Sequence, residues 1–290
     1  MNRVTTIRTV GRVVFCLSLP SLLCLTTVTL NSSSGHADNV EVHHLEGISH
    51  GFLVLHSLDG KALAAGDLIQ SVRGTQVTTQ LTFHFKDGSL HDETTVFTQD
   101  GSFRLIFDHL IQKGPSFPHP IDILIDATRN TITIHADDNG KEKDHSEQID
   151  LPSDLANGML LVLLRNISAS TPETKVSMLS TSAKPRLLKL SIIPKGVRTF
   201  AFAGQRRKAT HFEIKIEIGG IAGVVAPMVG KQPPDVHFWI SQGASPTFIR
   251  SEAALYESGP IWRTDLASLS VADHDAPPST PGQHEDKKKK

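Results

Sequence analysis

The sequence predicts a mainly β protein: a large curved antiparallel sheet or open β-barrel with one buried apolar helix. Three observations carry this expectation. Apolar residues alternate with polar ones at period two in several runs, turn dipeptides punctuate those runs, and one segment departs from the pattern by being apolar nearly all round. The connections between runs are too short for helical crossovers, so neighbouring strands are expected to pair antiparallel.

The chain opens with a segment of another kind. Arg3, Arg8 and Arg12 precede an apolar stretch over 13–30, and a polar spacer leads to Gly35-His36-Ala37, a small-x-small pattern that a signal peptidase would cut before Asp38. Residues 1–37 are therefore expected to be a signal peptide, and the protein to be exported, either to a periplasm or out of the cell. Pro20 and the interspersed hydroxyl residues weaken this stretch as a stable membrane span, and none is expected after cleavage. Both cysteines, Cys16 and Cys24, lie in this segment behind Phe15 and Leu23, where a lipoprotein signal wants a small residue. A mature chain from Asp38 thus holds no cysteine, which excludes disulfides, thiol nucleophiles and cysteine-ligated metals. Loss of the three arginines takes 29 basic residues to 26 against 30 acidic ones, a formal balance of −4. That is not the electrostatic footprint of a nucleic-acid binder.

A single β-rich domain is expected over 38–270. Leu81, Phe83 and Phe85 alternate with polar neighbours, as do Phe103, Leu105 and Phe107, and Asp87-Gly88 and Asp100-Gly101 are turn dipeptides that tolerate positive φ. Ile121, Ile123 and Ile125 alternate with Asp122, Leu124 and Asp126, then Ile132 and Ile134 with Thr131 and Thr133, which predicts a hairpin turning over 127–130. Next, Ser153 or Asp154 is placed to cap a helix running through Leu155 and Met159 to Leu164, toward Arg165 and Asn166. Such a helix wants burial in the concave face of a sheet, although the run from Met159 to Leu164 also suits a buried strand. Further strands are expected over 187–193, at Phe212, Ile214, Ile216 and Ile218, over 236–240 and over 247–250, giving roughly ten to twelve in all. Residues 271–290, rich in proline and charge, are expected to be a disordered tail.

A search for chemistry yields little. The glycine-rich stretch 219–223 with Gly230-Lys231 has Val225 where a phosphate loop needs its first glycine, and Gln232 where it needs Ser or Thr. His43, His44, Glu46, His50 and His56 crowd the mature N-terminus without the spacing of a zinc template. Asp122 and Asp126 share a strand face but stand about 13 Å apart by strand rise, too far for a glycosidase pair. Ser241 and Ser245 flank Gly243 without the G-x-S-x-G arrangement. No catalytic residue, metal ligand or cofactor is assigned. The apolar surplus in 155–164 and 219–229 favours a cavity for an apolar or lipid-like ligand, with Met159, Leu163, Met228, His211, His237, Trp239 and Trp262 as candidate ligand-binding residues. His211, His237 and Trp239 fall on the strand face opposite their apolar neighbours.

Four stretches carry a resemblance: PIDILIDAT at 120–128, DLPSDLANGM at 150–159, GVVAPMVGKQPPDVHFWI at 223–240 and SEAALYESGPIWR at 251–263. Together they resemble an uncharacterised family of exported bacterial proteins over about 51–265. The resemblance implies no activity. By looser analogy, an exported β-rich chain with one central apolar helix is similar in architecture to the open half-barrel of lipoprotein carriers. The expectation is an exported envelope protein that binds or carries an apolar ligand. Two other readings stay open: a structural or interaction protein with an envelope partner, and a hydrolase with a dispersed site.

Overall fold

The computed structural model describes residues 39–138, 141–180, 185–202, 205–217, 233–267 and 269–270. Its first eight strands are β1 (Ser49–Ser57), β2 (Ala62–Arg73), β3 (Gln76–Phe85), β4 (Leu90–Asp100), β5 (Ser102–Lys113), β6 (Ile121–Asp126), β7 (Thr131–Asp138) and β8 (Lys141–Gln148). Helix α1 (Leu160–Asn166) follows. Then come β9 (Thr174–Leu179), β10 (Leu187–Phe202), β11 (Gln205–Glu217), β12 (Val236–Ser241), β13 (Phe248–Ala253), β14 (Trp262–Leu266) and β15 (Leu269–Ser270).

All the strand pairs are antiparallel, as the short connections predict, and every strand joins one sheet. Its order is β15-β10-β11-β12-β13-β14-β1-β2-β3-β4-β5-β6-β7-β8, with β9 pairing the first half of β10. Most neighbours are successive hairpins; the pairing of β1 with β14 splices the N-terminal run onto the C-terminal one. The two ends of the path do not pair, so the sheet is open. The predicted hairpin of β6 and β7 is present, with Ile123 opposite Ile134 and Ile125 opposite Ile132, and Asn130 at φ 54° closes its turn.

Contacts across the sheet measure how strongly it curls. Trp262 of β14 and Phe85 of β3 are three strand spacings apart, about 14 Å in a flat sheet, yet their ring centroids lie 5.5 Å apart. Gln112 of β5 donates a hydrogen bond of 2.6 Å to the carbonyl of Leu255, just beyond β13 and six spacings away. The sheet therefore wraps around one face, the inner one, where Leu55, Val77, Phe83, Phe97, Ile125, Ile192 and Phe212 form the core. Burying these side chains is the dominant stabilising contribution of the chain.

Helix α1 sits on that inner face as expected, but it is shorter than its residues suggest. Ser153 and Asp154 do not cap it; the residue before the helix is Met159, with no capping hydrogen bond. Leu155 instead bridges to Ser177 of β9, and the Asp154 carboxylate accepts a 2.9 Å bond from the Ser177 hydroxyl. Gly158, at φ +63°, then breaks the chain direction before the helix starts. The strand count among the described residues, fifteen, exceeds the expected range because β1, β2, β4, β8, β9 and β14 mix polar residues on both faces or are short. Residues 1–37, the tail 271–290, Ile218 and the stretch 219–232 with Met228 lie outside the described residues.

Candidate functional site

Cross-strand register sorts the inner face of β1 to β7 into rows. One row runs Gly51, Leu68, Leu81, Glu93, Leu110, Ile123, Ile134, each residue directly opposite the next. The row above it is Leu53, Gly66, Phe83, His91, Gln112, Ile121; the row below is Gln70, Thr79, Thr95, Asp108, Ile125, Ile132. Leu110 and Ile123 are 3% and 2% exposed, whereas Leu68, Leu81 and Glu93 of the same row are only half-buried although they point inward. The inner face is thus left partly uncovered at this place. A single charged residue, Glu93, stands in an otherwise apolar row.

Polar groups gather around it. Asp108 is 1% exposed and accepts a 2.8 Å bond from the Thr95 hydroxyl. Burial pushes its carboxyl up to about 6, the Thr95 bond opposing. Glu93 is pushed up to about 8, first by burial of its carboxyl and then by the neighbouring Asp108, and no hydrogen bond from the described residues relieves it. His91 is 4% exposed, and burial lowers it to about 4, so its ring is neutral at ordinary pH. Gln112 donates both amide hydrogens, one to the Leu255 carbonyl and one, at 3.0 Å, to Nδ1 of His91. The proton of the neutral imidazole therefore sits on Nε2. That Nε2 and the Gln112 Oε1 are both buried without a partner among the described residues.

Two lids flank the row. On one side Gly158 lies directly over Thr95 and Asp108, and α1 follows, with Val162, Leu163 and Leu164 buried. Arg165 anchors the helix through a 2.6 Å ion pair to the fully buried Glu46 side chain and a bond to the Pro246 carbonyl. Asn166 accepts from the backbone N–H groups of His43 and His44. On the other side an aromatic group closes over His91: Phe117 meets Tyr256 at 5.7 Å and Trp262 at 6.3 Å, edge on.

The residues singled out from the sequence fall in three places. Met159 and Leu163 line a cavity beside Val40, Phe103, Leu155 and Val176 of about 10 Å³, room for one water rather than a ligand. Trp262 belongs to the aromatic lid. His211, His237 and Trp239 come together on the outer face, where His211 Nε2 lies 3.1 Å from His237 Nδ1 and stacks on Trp239 at 4.7 Å, nearly parallel. Burial, then His237, lowers His211. Trp239 also packs on a small outer cluster of Phe200, Ala209 and Ile249. Beside them Arg250 and Arg263 both bind Asp265, at 2.6 and 3.0 Å. Among the described residues, no three His, Asp or Glu side chains converge as metal ligands would. Glu93, Asp108, His91 and Gln112 were missed by sequence reasoning; the one available signal was Asp108 inside β5, whose Phe103, Leu105 and Phe107 predict a strand with a buried face.

Fold and site together define an open, curled antiparallel sheet whose largely apolar inner face carries, among the described residues, a cluster of polar groups at Glu93, His91 and Gln112 that are not fully paired. No protein-family model matches the sequence, and no curated protein does. Among solved structures it is similar to a β-barrel-like protein of the domain of unknown function DUF1849 from Brucella abortus. That likeness has a TM-score of 0.45 at 10% identity and covers 79% of this chain and 100% of that one. It is also similar to the hypothetical lipoprotein YmcC from Escherichia coli (K12), with a TM-score of 0.36 at 10% identity over 77% of this chain and 85% of that one. These structural neighbours are uncharacterised bacterial proteins. At such scores neither carries an argument, and the fold class rests on the strand pairing.

Proposed function

We propose that this chain is an exported cell-envelope protein that binds an apolar, lipid-like molecule on the inner face of its sheet. The observation that carries the reading is the half-buried row Leu68, Leu81 and Glu93, uncovered between the α1 side and the aromatic lid. An apolar chain laid along this row would bury Leu68 and Leu81, whose exposure to water is otherwise uncompensated. The α1 side is filled, so Met159 and Leu163 act as packing beneath the site and not as its lining. Native mass spectrometry of the protein from Asp38 onward, gently purified from its own envelope fraction, tests the reading. A bound species lost on denaturation is expected, and Leu81→Trp, which fills the row, is expected to abolish it. A clean apoprotein mass, with no binding of the neutral fluorophore N-phenyl-1-naphthylamine, overturns it.

A second reading, an interaction protein of the envelope, is favoured by a separate observation. Phe52 and Ile69 are 60% and 45% exposed on the outer face of β1 and β2, and Leu45 and Ile48 just before β1 are 75% and 84% exposed. Photo-crosslinking from position 52 in intact cells is expected to trap one protein on this reading, and none if the inner site is the whole function.

A further inference from the structure

We infer that the inner-face site takes a ligand whose polar end is uncharged and both donates and accepts hydrogen bonds, a hydroxyl or a primary amide, seated among Glu93, His91 and Gln112. The inference rests on the apolar-ligand reading and names the chemistry of the ligand's head. Hydrogen-bond accounting carries it. Gln112 is 0% exposed; both its amide hydrogens are used, and its Oε1 is left a buried acceptor with no donor. His91 Nδ1 is occupied as an acceptor, so its buried Nε2 is a donor with no acceptor. These residues face each other across β4 and β5, and Glu93 is the next inward residue along β4, about 7 Å on by strand rise, its carboxyl making no hydrogen bond among the described residues. Buried polar atoms of this kind are normally paired, and here the unpaired donor and the unpaired acceptor belong to directly opposed residues, one inward position along β4 from a carboxyl.

Charge decides the rest. The inward residues of β1 to β6 in the three rows include no Lys or Arg, and Arg165 is engaged by Glu46. A carboxylate or phosphate head would meet the Asp108 carboxylate without a countercharge and, having no donor, would leave the Gln112 oxygen unpaired. An ammonium head has no acceptor and would leave the His91 Nε2–H unpaired. A hydroxyl or an amide pairs both, with Glu93 as a third partner.

The test is displacement of N-phenyl-1-naphthylamine from the protein starting at Asp38 by four amphiphiles of one chain length: dodecan-1-ol, dodecanamide, sodium dodecanoate and dodecylamine, each below its micellar concentration at pH 7. The alcohol and the amide are expected to bind at least about tenfold more tightly than the two charged members. Glu93→Leu, which removes the third partner of the head group, is expected to shrink the preference by at least about threefold. Equal binding of all four, or tighter binding of the amine or the carboxylate, overturns the head-group inference while leaving the apolar site standing. Failure of the fluorophore and all four to bind overturns the apolar-ligand reading itself, and this inference with it.

Discussion

At the scale of single residues, Glu93, Asp108 and His91 make stability depend on pH in opposite senses. The two acids titrate higher in the folded chain than their ordinary values, at about 8 and about 6. Their contribution is therefore full below about pH 4 and is lost as pH rises through 6 and 8. His91 titrates lower, at about 4, so its contribution is present above pH 6.5 and is lost as pH falls through 4. Asp92 opposes the shift of His91, and His109 that of Asp108, without reversing either. Stability to urea is expected to peak on the acid side of neutrality and to fall by roughly 2–3 kcal/mol between pH 6 and pH 9. Glu93→Gln should remove most of that fall; an unchanged alkaline limb would mean the carboxyl is solvated. Gly158 tests the same spot from the other side. A Cβ there would be driven into the Thr95 hydroxyl and the Asp108 carboxylate, on a left-handed backbone. Gly158→Ala is expected to cost about 3 kcal/mol or more, against about 1 for Gly101→Ala, which shares a positive φ but meets nothing within 4 Å. Equal costs in urea unfolding would show that the helix approach yields easily.

At the scale of elements, a seven-residue helix without a capping bond is too short to hold itself, and its place is set by tertiary anchors. Arg165 to Glu46 is the strongest of them: the Glu46 side chain is 0% exposed and also accepts 2.8 Å from Gln70. Arg165→Ala leaves a buried charge and should cost about 3 kcal/mol, while Arg165→Met combined with Glu46→Met should restore at least half of it, because apolar side chains replace a buried pair at little loss. A double-mutant cycle by urea unfolding measures this, and a single-mutant cost below about 1 kcal/mol would show that the pair does not hold the helix. The sequence made the hairpins legible wherever one face was purely apolar, as in β6 with Ile121, Ile123 and Ile125. It did not make β4 legible, because LHDETTVFTQD is polar on both faces and period two cannot say which face turns inward. Only the register with Leu81 and Leu110 places Glu93 on the inner face. The helix boundary was misread for a similar reason: Asp154 looks like a cap by composition, but Ser177, distant in sequence, claims its carboxylate.

At the scale of the whole molecule, the fold depends on one splice. The hairpins from β2 to β5 close over turns of a few residues, whereas β1 must find β14, with Leu53 opposite Leu266 and roughly 200 positions between them. By loop-closure entropy the splice costs about 4 kcal/mol more to initiate than a turn of a few residues, so it should form after the hairpins and limit the rate of folding. The two tryptophans report on the two events separately. Trp239 sits in β12, paired with the nearby strands β11 and β13, and packs on Phe200 and His211. Trp262 sits in β14 and reaches Phe85 and Phe117 only once the sheet has curled and the splice has formed. In stopped-flow refolding, the fluorescence change in Trp262→Phe, which reports Trp239, is expected to precede that in Trp239→Phe, which reports Trp262, by at least about tenfold in rate. Superimposed traces would make the transition two-state and place the splice inside the nucleus. In that case the inner face would never exist uncurled, and a ligand for it would have to enter a sheet already wrapped.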